Sequence, residues 1–126
     1  MDAREALSEL VELSSQVRAA VVLGGEGAVL AATPDDPAAA ERLARTALEL
    51  VEAARELHAA GSDVTRVEVE LAEGAVFVVR GKGLTVAATT GPEPTAGLVV
   101  YDLRTCLDRI DERPRRRRTA RAREGA

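Results

Sequence analysis

The pattern of apolar and polar positions predicts eight structural segments, and the longest is a helix from Asp36 to Gly61. Asp36 is a favourable N-cap, Pro37 suits a first helical turn, and Gly61 can end a helix in the left-handed conformation. Between Pro37 and Gly61 the apolar side chains recur at helical spacing. They are Leu43, Ala47, Leu50, Val51, Ala54 and Leu57. We expect this stripe to cover one face of a sheet.

Alanines extend the apolar surface of this helix beyond the stripe. They stand at Ala39, Ala40, Ala44 and Ala53. Because the distance between packed helices depends on side-chain size, this smooth flank would allow a second helix to approach closely. The pattern therefore predicts a helix that both covers the sheet and takes part in a dimer.

The remaining segments alternate between the helical period and the period of two that is typical of strands. Residues 3–16 and the segment that follows Thr95 have helical spacing, while AAVVL, AVLAAT, residues 64–71, 75–79 and 84–89 favour strands. In residues 64–71, Val67 and Val69 face one way and Glu68 and Glu70 the other, as at a sheet edge or an oligomer seam. The predicted fold is α/β (α+β), a single three-layer domain of order α-β-β-α-β-β-β-α. Its five-stranded antiparallel sheet has helices on both faces.

Composition narrows the kinds of site that this core can form. Apolar residues make up 46% of the 126 positions, but Phe77 and Tyr101 are the only aromatic residues. A core of Val, Leu and Ala favours close backbone packing over a deep pocket lined by aromatic rings. The N-terminal segment is acidic and does not resemble a signal peptide, and no apolar run is long enough for a membrane span. We expect a cytoplasmic protein.

The net charge of −4 hides a division between an acidic body and a basic tail. Residues 1–112 carry 10 basic and 20 acidic side chains, whereas residues 113–126 carry 7 basic and 1 acidic. Pro114 interrupts regular structure, and the segment RRRRTARAREGA has no apolar periodicity. We therefore expect a folded domain at 1–112 and a disordered Arg-rich tail at 113–126.

Residue types that support catalysis are scarce. His58, the only histidine, lies near the predicted helix end, where a cation complements the helix dipole. Cys106, the only cysteine, lies on the inner stripe of the last helix, which favours a buried structural thiol. Asp35 and Asp36 suit capping better than metal binding. We expect no enzyme activity, no metal and no cofactor.

The glycine clusters favour turns over a phosphate-binding loop. GGEG lacks the spacing and the lysine of a P-loop, and it joins two predicted strands rather than a strand and a helix. The segment Gly81-Lys82-Gly83 is likewise placed between two strands. Any nucleotide involved in the function is therefore expected on a partner.

The hairpin AVVLGGEGAVLAAT, the long helix after a Pro-Asp turn, and VEVELAEGAVFVVRGKGLTVAAT resemble the roadblock/dynein-light-chain (roadblock/LAMTOR-type) domain family. The closing TAGLVVYDLRTCLDRI is similar to that family's last helix. The resemblance covers about residues 3–112 and implies a bacterial, profilin-like, non-catalytic domain. It also implies a homodimer that joins two sheets through the central helix and the strand after it. The implied function is a signalling adaptor or regulator that binds a small Ras-like GTPase or a related partner.

The resemblance and the charge pattern together give three sets of candidate residues. The dimer interface is expected at Ala40, Ala44, Val64, Val67 and Val69. A partner surface is expected at Glu41, Glu49, Glu52 and Glu56, with a plain solvated face as the alternative. Nucleic acid or anionic membrane would contact Arg115, Arg116, Arg117, Arg118, Arg121 and Arg123. This last set defines an alternative function, a polyanion- or membrane-associated regulator that acts through the tail.

Overall fold

The computed structural model describes residues 1–58 and 63–111. Within these ranges the elements follow the predicted order, which confirms the fold class. They are α1 (Ala3–Leu13), β1 (Val17–Leu23), β2 (Val29–Thr33), α2 (Pro37–Arg55), β3 (Arg66–Leu71), β4 (Gly74–Gly81), β5 (Leu84–Thr90) and α3 (Ala96–Arg109).

The strands form one antiparallel sheet in the order β2-β1-β5-β4-β3. The hairpin of β1 and β2 joins the meander of β3, β4 and β5 because β1 pairs with β5, with Ala20 opposite Ala88. This order places β2 and β3 at the two edges of the sheet. The strand that alternates between valine and glutamate is therefore an edge strand, as its pattern predicts.

Buried side chains form a separate cluster on each face of the sheet, because alternate residues of a strand point to opposite faces. Helices α1 and α3 cover one face, over a cluster that includes Phe77 and Val79. Helix α2 covers the other face, over a cluster that includes Val21 and Val78. The predicted three layers are confirmed.

Helix α2 is shorter than the sequence pattern predicts. Asp36 caps it as expected, with a side-chain oxygen that accepts a hydrogen bond from the Ala39 N–H at 3.2 Å. The helix ends at Arg55, so the prediction that Gly61 ends it is wrong, and Gly61 itself lies outside the described residues. Leu57 follows the helix and is 79% exposed, so its predicted place in the core stripe is also wrong.

The early end of α2 follows from where its apolar face can pack. Its last buried residue is Val51, and helical stability in proteins comes mostly from the packing of an apolar face. Beyond Arg55 the pattern of helix-forming residues continues, but Glu56, Leu57 and His58 are all exposed. Helix propensity alone therefore predicts an end that is too late.

Helices α1 and α3 run antiparallel and are tied together at both ends. Near one end, the Thr95 N–H donates to the Gln16 side-chain oxygen at 2.6 Å. Toward the other end, Arg109 pairs with Glu9 at 2.6 Å, and the Asp111 N–H donates to the Met1 carbonyl at 2.7 Å. The last described residues of the chain thus lie beside the start of α1.

Lys82 caps the C-terminus of α3 from the turn between β4 and β5. Its ammonium Nζ donates to the carbonyls of Leu107, Asp108 and Ile110 at 3.3, 3.1 and 2.9 Å. The last carbonyls of a helix lack partners within the helix and carry partial negative charge, so a cation with three donors suits them. Lys82 is also the only lysine in the chain.

Replacing Lys82 with methionine is expected to destabilise the protein by roughly 2 kcal/mol, a value reduced for the solvent exposure of this site. The three hydrogen bonds would be lost while most of the side-chain volume is kept. Chemical denaturation would measure the loss, and amide hydrogen exchange should show faster opening of the last turn of α3. Lys82→Arg should be intermediate, because a planar guanidinium cannot direct three donors at one point. An unchanged denaturation midpoint for Lys82→Met would contradict this role.

Candidate interaction surfaces

Strand β3 has an open edge and a partly exposed apolar face. In the described part of the chain β3 pairs with β4 alone. Val67 and Val69 are half-buried on the α2 side of the sheet, and Leu71 on the same side is 59% exposed. On the opposite side Arg66 and Glu68 form an ion pair at 3.1 Å. An open edge of this kind presents backbone donors and acceptors to another strand.

A groove of about 360 Å³ separates one flank of α2 from the sheet. We call it the Leu43 groove; Leu43 and Thr46 line it from α2, and Val76 and Thr89 line it from the sheet. Val76 is paired with Val69 across β3 and β4. The apolar side of the β3 edge and the Leu43 groove are therefore neighbouring parts of one surface.

Two of the residues predicted for the dimer interface lie inside the chain's own core. Ala40 and Ala44 are 9% and 6% exposed and pack in the cluster beneath α2. The prediction that they lie on an outer flank is wrong, because α2 turns its small side chains toward the sheet. Leu43 and Leu50, predicted for the core stripe, are instead half-buried at the margin of this cluster.

Val64 is half-buried and packs against the same cluster as Val67. The strand residues Val64, Val67 and Val69 therefore remain close to the edge and available in part to a second chain. No contact with a second chain tests the predicted interface, so the dimer role of all five residues stays a prediction.

The opposite flank of α2 borders a larger groove of about 750 Å³. We call it the Leu48 groove. Its lining consists of Gly27, Ala28, Val29, Glu41, Ala44, Arg45, Leu48, Glu49 and Glu52. Three of the four predicted acidic partner residues thus line one groove, whereas Glu56 follows the helix and is not among the lining residues. Sequence reasoning missed Leu48, which lies off the helix stripe chosen for the core, and Val29, which belongs to the predicted strand AVLAAT.

The residues considered for catalysis are not brought together. His58 is exposed and lies beyond the end of α2, so its predicted place in the last helical turn is wrong. Asp36 is occupied as a helix cap. Among residues 1–58 and 63–111, no group of three or more His, Cys, Asp or Glu side chains is arranged to hold a metal ion.

The Cys106 thiol is buried in the layer of α1 and α3 and is 3% exposed. Burial, with a smaller contribution from the Glu9 carboxylate, raises the pKa of this thiol from 9.0 to about 11. The reactive thiolate is therefore scarce at neutral pH. This environment agrees with the structural role predicted for Cys106.

Ionisation of Cys106 is expected to lower the free energy of unfolding as the pH rises from 9.0 to about 11. In that window the unfolded chain has lost the thiol proton while the folded protein retains it, so folding becomes less favourable. The full effect on the free energy of unfolding is about 3 kcal/mol, because each pKa unit corresponds to about 1.4 kcal/mol. Denaturation across this pH range should show a steeper loss for the natural sequence than for Cys106→Ala, which lacks the titrating thiol. Parallel losses in the two proteins would contradict the effect.

The glycine clusters form turns between strands, as the sequence predicts. GGEG joins β1 to β2, and Gly81-Lys82-Gly83 joins β4 to β5. In the first turn only Gly27 has a positive φ, at 91°. In the second turn Lys82 and Gly83 both adopt positive φ.

The Arg-rich tail and its six candidate polyanion contacts lie outside the described residues, so they stay predictions. Among residues 1–58 and 63–111, no helix combines the length and apolar character needed to cross a membrane.

Comparison with protein families gives a match over residues 4–88 to the family described as the Roadblock/LC7 domain. Comparison with curated proteins finds no match. The family match covers nearly all of α1, then β1 to β4 and α2, and it ends within β5.

Solved structures support the same family and fold. The crystal structure of a Roadblock/LC7 domain from Streptomyces avermitilis is 29% identical with a TM-score of 0.75, over 90% of this chain and 97% of that one. An MglB structure with a tetrameric arrangement is 19% identical with a TM-score of 0.60, over 82% and 81%. Profilin II from Acanthamoeba castellanii is 14% identical with a TM-score of 0.55, over 85% and 94%. The last two likenesses concern the fold alone.

Proposed function

The chain belongs to the Roadblock/LC7 domain family, and on that premise we propose that it is a non-catalytic, dimeric adaptor that regulates a small Ras-like GTPase or a related signalling protein. The observation that carries the proposal is the surface formed by the open edge of β3 and the Leu43 groove. This surface suits association, whereas the described residues bring together no catalytic set.

Pairing of two β3 edges about a twofold axis would join the two sheets into one. The outer backbone groups of β3 would then gain partners, and Val67, Val69 and Leu71 of each chain would be buried together. The flank of α2 that carries Leu43 and Leu50 would meet the same flank of the second copy. A C2 interface of this kind uses one self-complementary patch, and the β3 edge with this flank of α2 would form that patch.

A partner surface on α2 is supported by charge and by position. Glu41, Glu49 and Glu52 line the flank opposite the Leu43 groove, so a dimer of the proposed geometry leaves them accessible. A carboxylate-rich surface mainly increases the association rate with a basic partner and selects against acidic ones. Membership of the Roadblock/LC7 domain family supports a regulatory role.

Light scattering tests the dimer, and recovery of partners tests the adaptor role. The 13.3 kDa chain should scatter as a dimer at micromolar concentration. Tagged protein expressed in its native host should retain a nucleotide-binding protein of the Ras-like class. A monomeric chain would overturn the dimer, and repeated recovery without any such partner would overturn the GTPase assignment.

The division of charge supports a second candidate function. Residues 113–126 carry seven arginines and one acidic side chain, a composition that binds phosphate-rich polymers or anionic membranes. Binding to duplex DNA and to anionic vesicles should be compared for the full chain and a chain ending at Glu112. Equal binding by the two chains would show that the tail does not bind polyanions and would contradict this second function.

A further inference from the structure

We propose that the Leu48 groove is the docking site for a basic amphipathic helix of a partner protein. The inference rests on the proposed adaptor role and names the kind of segment that would bind. The groove lies on the flank of α2 that faces the turn between β1 and β2. It is therefore separate from the Leu43 groove and stays open in the proposed dimer.

The groove has an apolar floor that is partly open to solvent. Leu48 is 42% exposed and Val29 is 39% exposed, and both side chains line the groove. The turn approaches the helix closely at Gly27, where an added Cβ would meet the Leu48 Cδ1 at 3.0 Å. The turn therefore lies against the Leu48 side chain, and the floor presents apolar side chains to a partner.

The spacing of the lining residues favours a helix as the occupant. Glu41, Arg45, Leu48 and Glu52 recur at intervals of four, three and four along one face of α2. At 1.5 Å per residue this line is about 16 Å long, which is the length of about three helical turns. A helix lying beside α2 could place one apolar side chain against Leu48 and Val29 in the way that helices fill apolar grooves.

The rim of the groove determines the charge of the occupant. Three carboxylates line it against the single guanidinium of Arg45. Glu52 already pairs with Arg55 at 2.9 Å. In the described part of the chain Glu41 and Glu49 have no ion-pair partner, so they are available to lysine or arginine side chains. An acidic helix would meet like charges and be rejected.

The chain's own tail does not fit this groove. Residues 113–126 contain no apolar side chain larger than alanine apart from Pro114, so they cannot fill the floor beside Leu48. The tail also follows α3, which lies on the opposite face of the sheet from α2. The occupant is therefore a segment of another protein.

The test uses designed helical peptides of about 14 residues, long enough to span the groove. One peptide carries leucines on one face and lysines on the flanks, the second replaces leucine with serine, and the third replaces lysine with glutamate. Fluorescence anisotropy with the full-length protein at about 0.15 M salt should show binding of the first peptide alone. Absence of binding, or equal binding of the leucine and serine peptides, would overturn the proposal.

Charge reversal provides the matched control. Glu41→Lys with Glu49→Lys should weaken binding by roughly tenfold or more, equivalent to about 1.4 kcal/mol. Glu12→Lys with Glu93→Lys makes the same change in net charge away from the groove and should leave affinity within about twofold. Equal weakening by both pairs would show non-specific attraction and overturn the site. Circular dichroism melting should show that both double variants fold.

Two further measurements distinguish helix docking in the Leu48 groove from occupation by the tail and from the proposed GTPase binding. A chain ending at Asp111 should bind the peptide as the full chain does, and much tighter binding would mean that the tail occupies the groove. If a GTPase is recovered and binds the Glu41→Lys, Glu49→Lys double variant as tightly as the natural sequence, this docking site is wrong. That result would still agree with the proposed adaptor function. Peptide binding without any recovered GTPase would support the groove and count against the proposed partner.

Discussion

Replacing Val69 with aspartate is expected to give a monomer at the micromolar concentrations at which we propose that the natural sequence forms a dimer. The proposed twofold axis brings both copies of Val69 into the seam, so each dimer would bury two new carboxylates near one another. Unpaired buried charges cost several kcal/mol, and we expect the dissociation constant to rise roughly a thousandfold. Light scattering and sedimentation would measure the change.

Val69 is a better test position than Val67 because the folded monomer depends on it less. Val67 packs against the cluster beneath α2, whereas Val69 is half-buried at the edge and does not belong to that cluster. Leu13→Asp is the matched control, since Leu13 is 65% exposed on the opposite face of the sheet. The control should remain dimeric. A dimeric Val69→Asp variant would show that β3 does not form the seam.

Gly74→Ala is expected to prevent folding or to cost roughly 3 kcal/mol or more. Gly74 is buried at the start of β4, and a Cβ at this position would overlap the carbonyl oxygen of Thr90. Both strands belong to the sheet interior, so the oxygen cannot move aside as a flexible side chain would. Here glycine is needed for close approach of two backbones rather than for an unusual backbone conformation.

Denaturation by urea would measure this loss. Gly97→Ala is the control, because a Cβ at Gly97 would meet nothing within 4 Å. Gly97 lies within α3, where alanine is favoured over glycine, so the control should stabilise the protein by about 0.5 kcal/mol. A Gly74→Ala variant as stable as the natural sequence would mean that β4 and β5 are more widely separated at this point.

The element order could be predicted because the hydrophobic period changes wherever a helix gives way to a strand. The edge position of β3 was also predictable, since Val67 and Val69 alternate with Glu68 and Glu70. These signals are local to each segment. They need no knowledge of which elements meet in three dimensions.

The assignment of faces on α2 needed that knowledge. Sequence reasoning gave Leu43 and Leu50 to the core together with Ala47 and Val51. It gave Ala40 and Ala44 to a partner. In the structure Ala40, Ala44, Ala47 and Val51 meet the sheet, while Leu43, Leu48 and Leu50 occupy the two flanks. A helix that lies close to a sheet has room beneath it only for small side chains, and its longer side chains reach sideways. The two grooves on these flanks could not be found before the helix was placed on the sheet.

The two edge strands of the sheet, β2 and β3, differ in a way that limits how many copies of the chain can pair edge to edge. A protein with two similar open edges can add copies without end and form fibrils. Here β2 has only five residues and is followed at once by Pro34, which has no N–H to donate, and by Asp35 and Asp36. Pairing of the β2 edges of two chains would bring like charges together and would offer few backbone hydrogen-bond partners. Growth through β3 is therefore expected to stop at a closed pair rather than continue as a polymer.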